Sequence, residues 1–126
     1  MTQSIEALTT ATLSLALDAA SLRHQAIASN IANVNTEGYV PQHLNFSAQM
    51  DMLQNSSQGN SNDSFGLLAS KLELQPMLDK DGLPAKVQLD VEMAEMAHNA
   101  VQYQTLIKML GKHYSIMSSA VNDGKK

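Results

Sequence analysis

The chain has 126 residues, with 8 Lys+Arg against 12 Asp+Glu and a formal net charge of −4. That length suits one domain, and the acidic balance lacks the basic footprint that nucleic-acid binding requires. With no cysteine, disulfides, thiol nucleophiles and Cys-ligated zinc are excluded. No uninterrupted apolar run approaches the roughly 20 residues that cross a bilayer, so no membrane span is expected. Glu6 and Asp18 break up the apolar core that a cleavable secretion signal needs.

Residues 5–34 are rich in Ala, Leu, Ser and Thr and contain neither Gly nor Pro, which predicts a long helix. Two lines run along it. Leu8, Thr12, Leu15, Ala19, Leu22, Ala26 and Ser29 keep the four-three rhythm of a helix–helix seam. Leu13, Leu17, Ala20, Ile27 and Ile31 form a second line, about 140° around the helix at 100° per residue. A helix in a simple hairpin needs one such line. The second is covered either by a third element of the same chain or by another molecule. The middle of the chain offers no third strong helical pattern, so an intermolecular partner is expected, with this line as the assembly interface.

The stretch 29–39, SNIANVNTEGY, concentrates Asn30, Asn33 and Asn35 at the end of that helix. Amides there can satisfy terminal carbonyls or adopt left-handed geometry, and Asn across a helix interface can also fix register. Thr36-Glu37-Gly38 predicts a tight turn whose glycine takes a positive φ, with Tyr39 packing back across it.

Residues 35–89 form a variable middle. Within it, 54–66 (QNSSQGNSNDSFG) is polar and nearly free of apolar anchors, as in segments that stay mobile in isolation. Residues 71–89 alternate polar and apolar around Asp79-Lys80-Asp81-Gly82 and predict a short β-hairpin. Pro76 and Pro84 limit its ladder and favour edge positions.

Residues 90–121 have the cleanest periodicity. Leu89, Met93, Met96, Ala100, Tyr103, Ile107, Leu110, Tyr114, Met117 and Val121 follow alternating steps of four and three. This predicts a helix of roughly 48 Å packed lengthwise against the first. Asp90 is the expected N-cap, Glu92 and Glu95 suit the positive helix start, and Gly124 is placed to stop it. The methionines on this line fit ordinary core packing first, with a deformable contact surface as the alternative.

No catalytic constellation emerges, and no cofactor or metal site is expected. His24, His43, His98 and His113 share no metal-ligand spacing. Asp79 and Asp81 lack the glycine and glutamate positions of a calcium loop, so a turn is the simpler account. There is no phosphate-binding loop and no nucleophile elbow.

The stretch at 29–39 resembles the NIANxxTPGY-type signature of the bacterial flagellar rod, hook and hook-associated proteins. Asn30, Ile31, Ala32, Asn33, Thr36, Gly38 and Tyr39 carry the likeness, with Ser29 just before. Glu37 stands where that family usually has proline. Leu44 and Phe46 follow in a pattern similar to the family's, with His43 departing from its usual acidic position. Residues 87–121 are similar to the family's carboxy-terminal helix, with Val87, Leu89, Glu92 and Met93 at its start and Tyr103-Gln104 further on. The chain is most similar to the short proximal rod members, because it has no room for the large middle domains of hook and distal rod proteins.

The resemblance implies a non-enzymatic subunit of the basal-body rod, which crosses the periplasm and transmits torque. It implies export through the flagellar type III apparatus without a cleaved signal, and terminal helices that order on assembly. Implied partners are copies of itself, other rod proteins, the rod-to-membrane-ring junction protein and the export gate. A soluble helical adaptor or export chaperone is the rival class. The expected fold is all-α: two long antiparallel terminal helices in a coiled-coil-like pair, with a variable middle carrying a short hairpin.

Overall fold

The computed structural model describes residues 2–47, 51 and 71–124; the 54–66 segment lies outside the described residues. In chain order the elements are α1 (Thr2–Ala32), β1 (Gln42–His43), β2 (Gln75–Pro76) and α2 (Leu89–Asp123). The two helices pack against each other and run antiparallel: Thr10 meets His113 at one end and Ala20 meets Asn99 further along. Between them in sequence sits a two-stranded antiparallel sheet pairing Gln42 with Pro76 and His43 with Gln75.

Helix α1 forms because a run of Ala and Leu without Gly or Pro has little competing local structure. It buries Leu13, Leu15, Ala19, Ala20, Ala26 and Ile27. Both apolar lines are therefore largely closed within the chain, and Leu17 and Ile31 are half-buried. This corrects the expectation that Leu13, Ala20 and Ile27 stay open for neighbouring molecules. The side of α1 that carries Ala20 is the one facing α2. On the other line, Leu8 and Leu22 are half-buried. The segment after β1 also returns to the helix, where Leu44 shares a cleft with Ala26 and Phe46 another with Ala19.

Helix α2 is rotated relative to the apolar rhythm. Its inward positions are Glu92, Met96, Asn99, Leu106, Leu110, His113 and Met117, all buried or half-buried. Of the expected seam, Met96, Leu110 and Met117 keep that role, and Tyr103 lies at its edge. Met93, Ala100, Ile107, Tyr114 and Val121 are exposed. The reason is polar: Asn99 and His113 take seam positions and find hydrogen-bond partners on α1, which an apolar rhythm does not register. The N-cap is Gln88, without a side-chain cap; Asp90 lies inside the first turn, corrected from the capping position. Gly124 does cap the other end, at φ −70°, its N–H bonded to the Ala120 carbonyl.

The expected hairpin exists as a turn with little ladder. Asp79 Oδ1 accepts the N–H groups of Asp81 and Leu83, and Gly82 takes φ +78°. Leu78 bridges Pro84. The regular pairing of this arm lies on its other edge, with β1, where Pro76 needs no N–H of its own. By length and composition, Ile5–Ala32 is long and apolar enough to cross a membrane, a property that counting uninterrupted apolar residues missed. In this fold it lies along α2 and hydrogen-bonds to it.

Candidate functional site

The residues of the 29–39 motif build a corner at the end of α1. Asn30 is its centre, 1% exposed. Its amide pairs with the Gln42 peptide as a neighbouring strand would: Nδ2 donates to the Gln42 carbonyl at 2.9 Å, and Oδ1 accepts the Gln42 N–H at 3.0 Å. The same Oδ1 accepts the Tyr39 hydroxyl at 2.9 Å. A buried amide is costly unless its donors and acceptors are met, and here helix end, aromatic ring and strand meet them together. β1 then passes the restraint on, because the Met77 N–H donates to the Pro41 carbonyl beside the β1–β2 pairing at 2.7 Å.

Asn33 does the work expected of a helix stop. Its Nδ2 donates to the Ser29 carbonyl at 2.8 Å, and its Oδ1 accepts the Thr36 hydroxyl at 3.1 Å. The Tyr39 N–H then closes on the Thr36 carbonyl at 3.3 Å, with Gly38 at φ +78°. A positive φ at the third residue of a four-residue turn makes it type II, a shape that suits glycine there and proline just before. Ile31 is half-buried, while Ser29, Ala32, Thr36 and Gly38 are exposed. The motif thus divides into a buried clamp, Asn30 with Tyr39, and an exposed turn.

A second polar group joins the helices. Asn99, 2% exposed, donates from Nδ2 to the Ala20 carbonyl at 2.9 Å. Arg23 Nη1 lies 3.3 Å from both Asn99 Oδ1 and Gln102 Oε1. His113 Nε2 and Thr10 Oγ1 share a hydrogen bond of 3.1 Å nearer the chain ends. Buried polar contacts of this kind fix the register of a helix pair. Sequence reasoning missed Asn99 and Arg23 and read Glu92 only as a helix-start charge; for Asn99, a polar residue three positions after Met96 in an otherwise apolar rhythm was the available signal.

Among the described residues, most of the exposed large apolar side chains lie on α2. Met93, Ile107, Tyr114 and Val121 lie on one line and are 48–59% exposed. Val101, Met109 and Ile116 are exposed as well. A line of large apolar side chains left exposed along one helix marks a candidate interaction surface. No group of three or more His, Asp or Glu that could hold a metal ion occurs among the described residues. The four histidines are scattered: His24 and His98 are exposed, His113 bonds Thr10, and His43 lies beside the corner.

Comparison with known proteins adds a second line of support. Residues 11–39, which include the 29–39 motif, match the family described as flagella basal body rod protein. The chain is 24% identical to the flagellar basal body rod protein FlgB of Bacillus subtilis (strain 168), over 87% of this chain and 90% of that protein. It is 28% identical to the flagellar basal body rod protein FlgB of Yersinia ruckeri, over 86% of this chain and 90% of that one.

Proposed function

We propose that this chain is a member of the flagellar basal-body rod protein family, which it resembles, and a building block of the proximal rod that assembles through its terminal helices. The observation carrying this reading is the exposed line Met93, Ala100, Ile107, Tyr114 and Val121 on the outer face of α2. Apolar side chains held in water contribute nothing to stability until another surface covers them, and each large one gains about 1.5–3 kcal/mol when fully buried. Copies of the chain and other rod proteins are the expected cover. Contacts of the head-to-tail kind that do not close into a ring build a helical filament, the geometry a torque-bearing rod needs. The rod-to-membrane-ring junction protein and the export gate are further partners on this reading, with export through the flagellar type III apparatus.

The polar pins suit such a role. Asn99 on Ala20 and Asn30 on Gln42 hold one register and one corner angle, so each subunit presents the same outer face to its neighbours. Extraction of basal bodies with detergent tests the proposal. A rod subunit co-purifies with the basal bodies and is lost from motile function on deletion. A helical adaptor or export chaperone stays in the soluble fraction, and that outcome replaces the rod reading.

A further inference from the structure

On the flank of the helix pair where Phe46 returns, an open groove of about 400 Å³ lies between α1 and α2. Ala16 and Ala19 line it from α1, Val101 and Leu106 from α2, and Phe46 from the segment after β1. Val101 is 64% exposed, so part of this apolar lining stands in water. Arg23 is the one charged residue in the lining among the described residues. Its Nη1 lies 3.3 Å from the amide oxygens of Asn99 and Gln102, both neutral, and among the described residues no carboxylate pairs with it. A fitting occupant therefore brings apolar bulk and a negative group beside it.

The turn after β2 has that make-up. Residues 78–83, Leu-Asp-Lys-Asp-Gly-Leu, carry two carboxylates against one ammonium. Leu78 is 54% and Leu83 60% exposed, so neither is covered within its own chain. The turn is held in one shape: the Asp79 N–H donates to the Leu83 carbonyl at 2.7 Å, and Asp79 Oδ1 accepts the N–H groups of Asp81 and Leu83 at 2.9 and 3.0 Å. A segment already fixed in shape gives up little conformational freedom on docking. Asp79 uses its carboxylate inside the turn, whereas Asp81 enters these bonds only through its backbone.

We propose that the 78–83 turn of one copy docks into the α1–α2 groove of a second copy. Leu78 and Leu83 cover the apolar lining, and the Asp81 carboxylate pairs with Arg23. That copies meet in an assembly rests on the rod reading above. Turn and groove are different patches of one chain, so the contact is head-to-tail and can propagate without closing. It adds a second contact to the exposed line of α2.

Two thiols introduced into this cysteine-free chain test the docking in basal bodies. Lys80→Cys marks the tip of the turn and keeps both leucines, and Thr105→Cys marks the exposed edge of the groove. A short bismaleimide is applied to basal bodies containing either single variant or the double variant. Docking predicts covalent dimers and larger multimers of the chain from the double variant, at least tenfold above either single variant. Asp81→Arg is the second variant, since its side chain takes no part in holding the turn. It is expected to leave helical content of the isolated chain unchanged while recovery in basal bodies falls at least tenfold. A link formed only within one chain, a link only to a different protein, or no link overturns the docking. Recovery of Asp81→Arg at the wild-type level overturns it as well. Absence of the wild-type chain from basal bodies overturns the rod reading, and the docking falls with it.

Discussion

Helix α1 buries Leu13, Leu15, Ala19, Ala20, Ala26 and Ile27, whereas the residues α2 buries are Glu92 and Asn99, both polar. Yet α2 has the more regular apolar rhythm of the two. The difference follows from side-chain size and from what each helix faces. Alanines at 16, 19, 20 and 26 make α1 slim, so α2 and the β1 segment can close on it from two sides. Along α2 the inward positions are partly given to polar residues that reach α1, and Met93, Ile107, Tyr114 and Val121 are left exposed. Strength of rhythm measures how much apolar surface a helix owns. It does not say whether that surface faces its own chain or another.

The widest expected contrast comes from making the same kind of truncation on each helix. Leu13→Ala, at a buried position, costs the isolated chain about 3 kcal/mol in urea unfolding. Ile107→Ala, on the exposed line of α2, shifts it by less than about 0.5 kcal/mol. Equal costs would erase the distinction between a closed helix and an open one. Next in size, Asn30→Ala leaves the Gln42 peptide and the Tyr39 hydroxyl without their partner and costs about 2 kcal/mol in the same measurement. A cost near zero would mean that water replaces the amide and that the corner is held elsewhere. The smallest effect has the opposite sign. Glu37 is the second residue of the type II turn closed by Thr36 and Tyr39, a position whose φ proline already holds. Glu37→Pro should stabilise the chain by about 0.5 kcal/mol, seen as a raised thermal midpoint; a lowered midpoint would show that the turn is not type II.

The sequence made the two helices and their antiparallel arrangement visible, because length, composition and four-three spacing are local properties. It also showed that Gly38 needs a positive φ, since turn chemistry is written into neighbouring residues. Which line of α1 faces α2 was not visible. That choice depends on Asn99 reaching the carbonyl of Ala20, a contact between a polar side chain and a backbone group 79 positions apart. Nor was the β1–β2 pairing, which joins two-residue strands with no alternation long enough to detect. For the 29–39 motif, the expectation that its amides satisfy terminal carbonyls holds for Asn33 on Ser29. Asn30 instead serves Gln42 and Tyr39, partners outside the helix that no helix-stop rule would name.

Because the chain lacks cysteine, a single introduced thiol reports accessibility without background. Ile107→Cys, at the middle of the open line on α2, can be labelled with a maleimide in the isolated chain and in purified basal bodies. Rapid labelling of the free chain, with at least a hundredfold slower labelling after incorporation, is the result expected if neighbouring subunits cover this face. Equal labelling in both states would contradict it, and would leave the outer side of α2 as surface that assembly never uses.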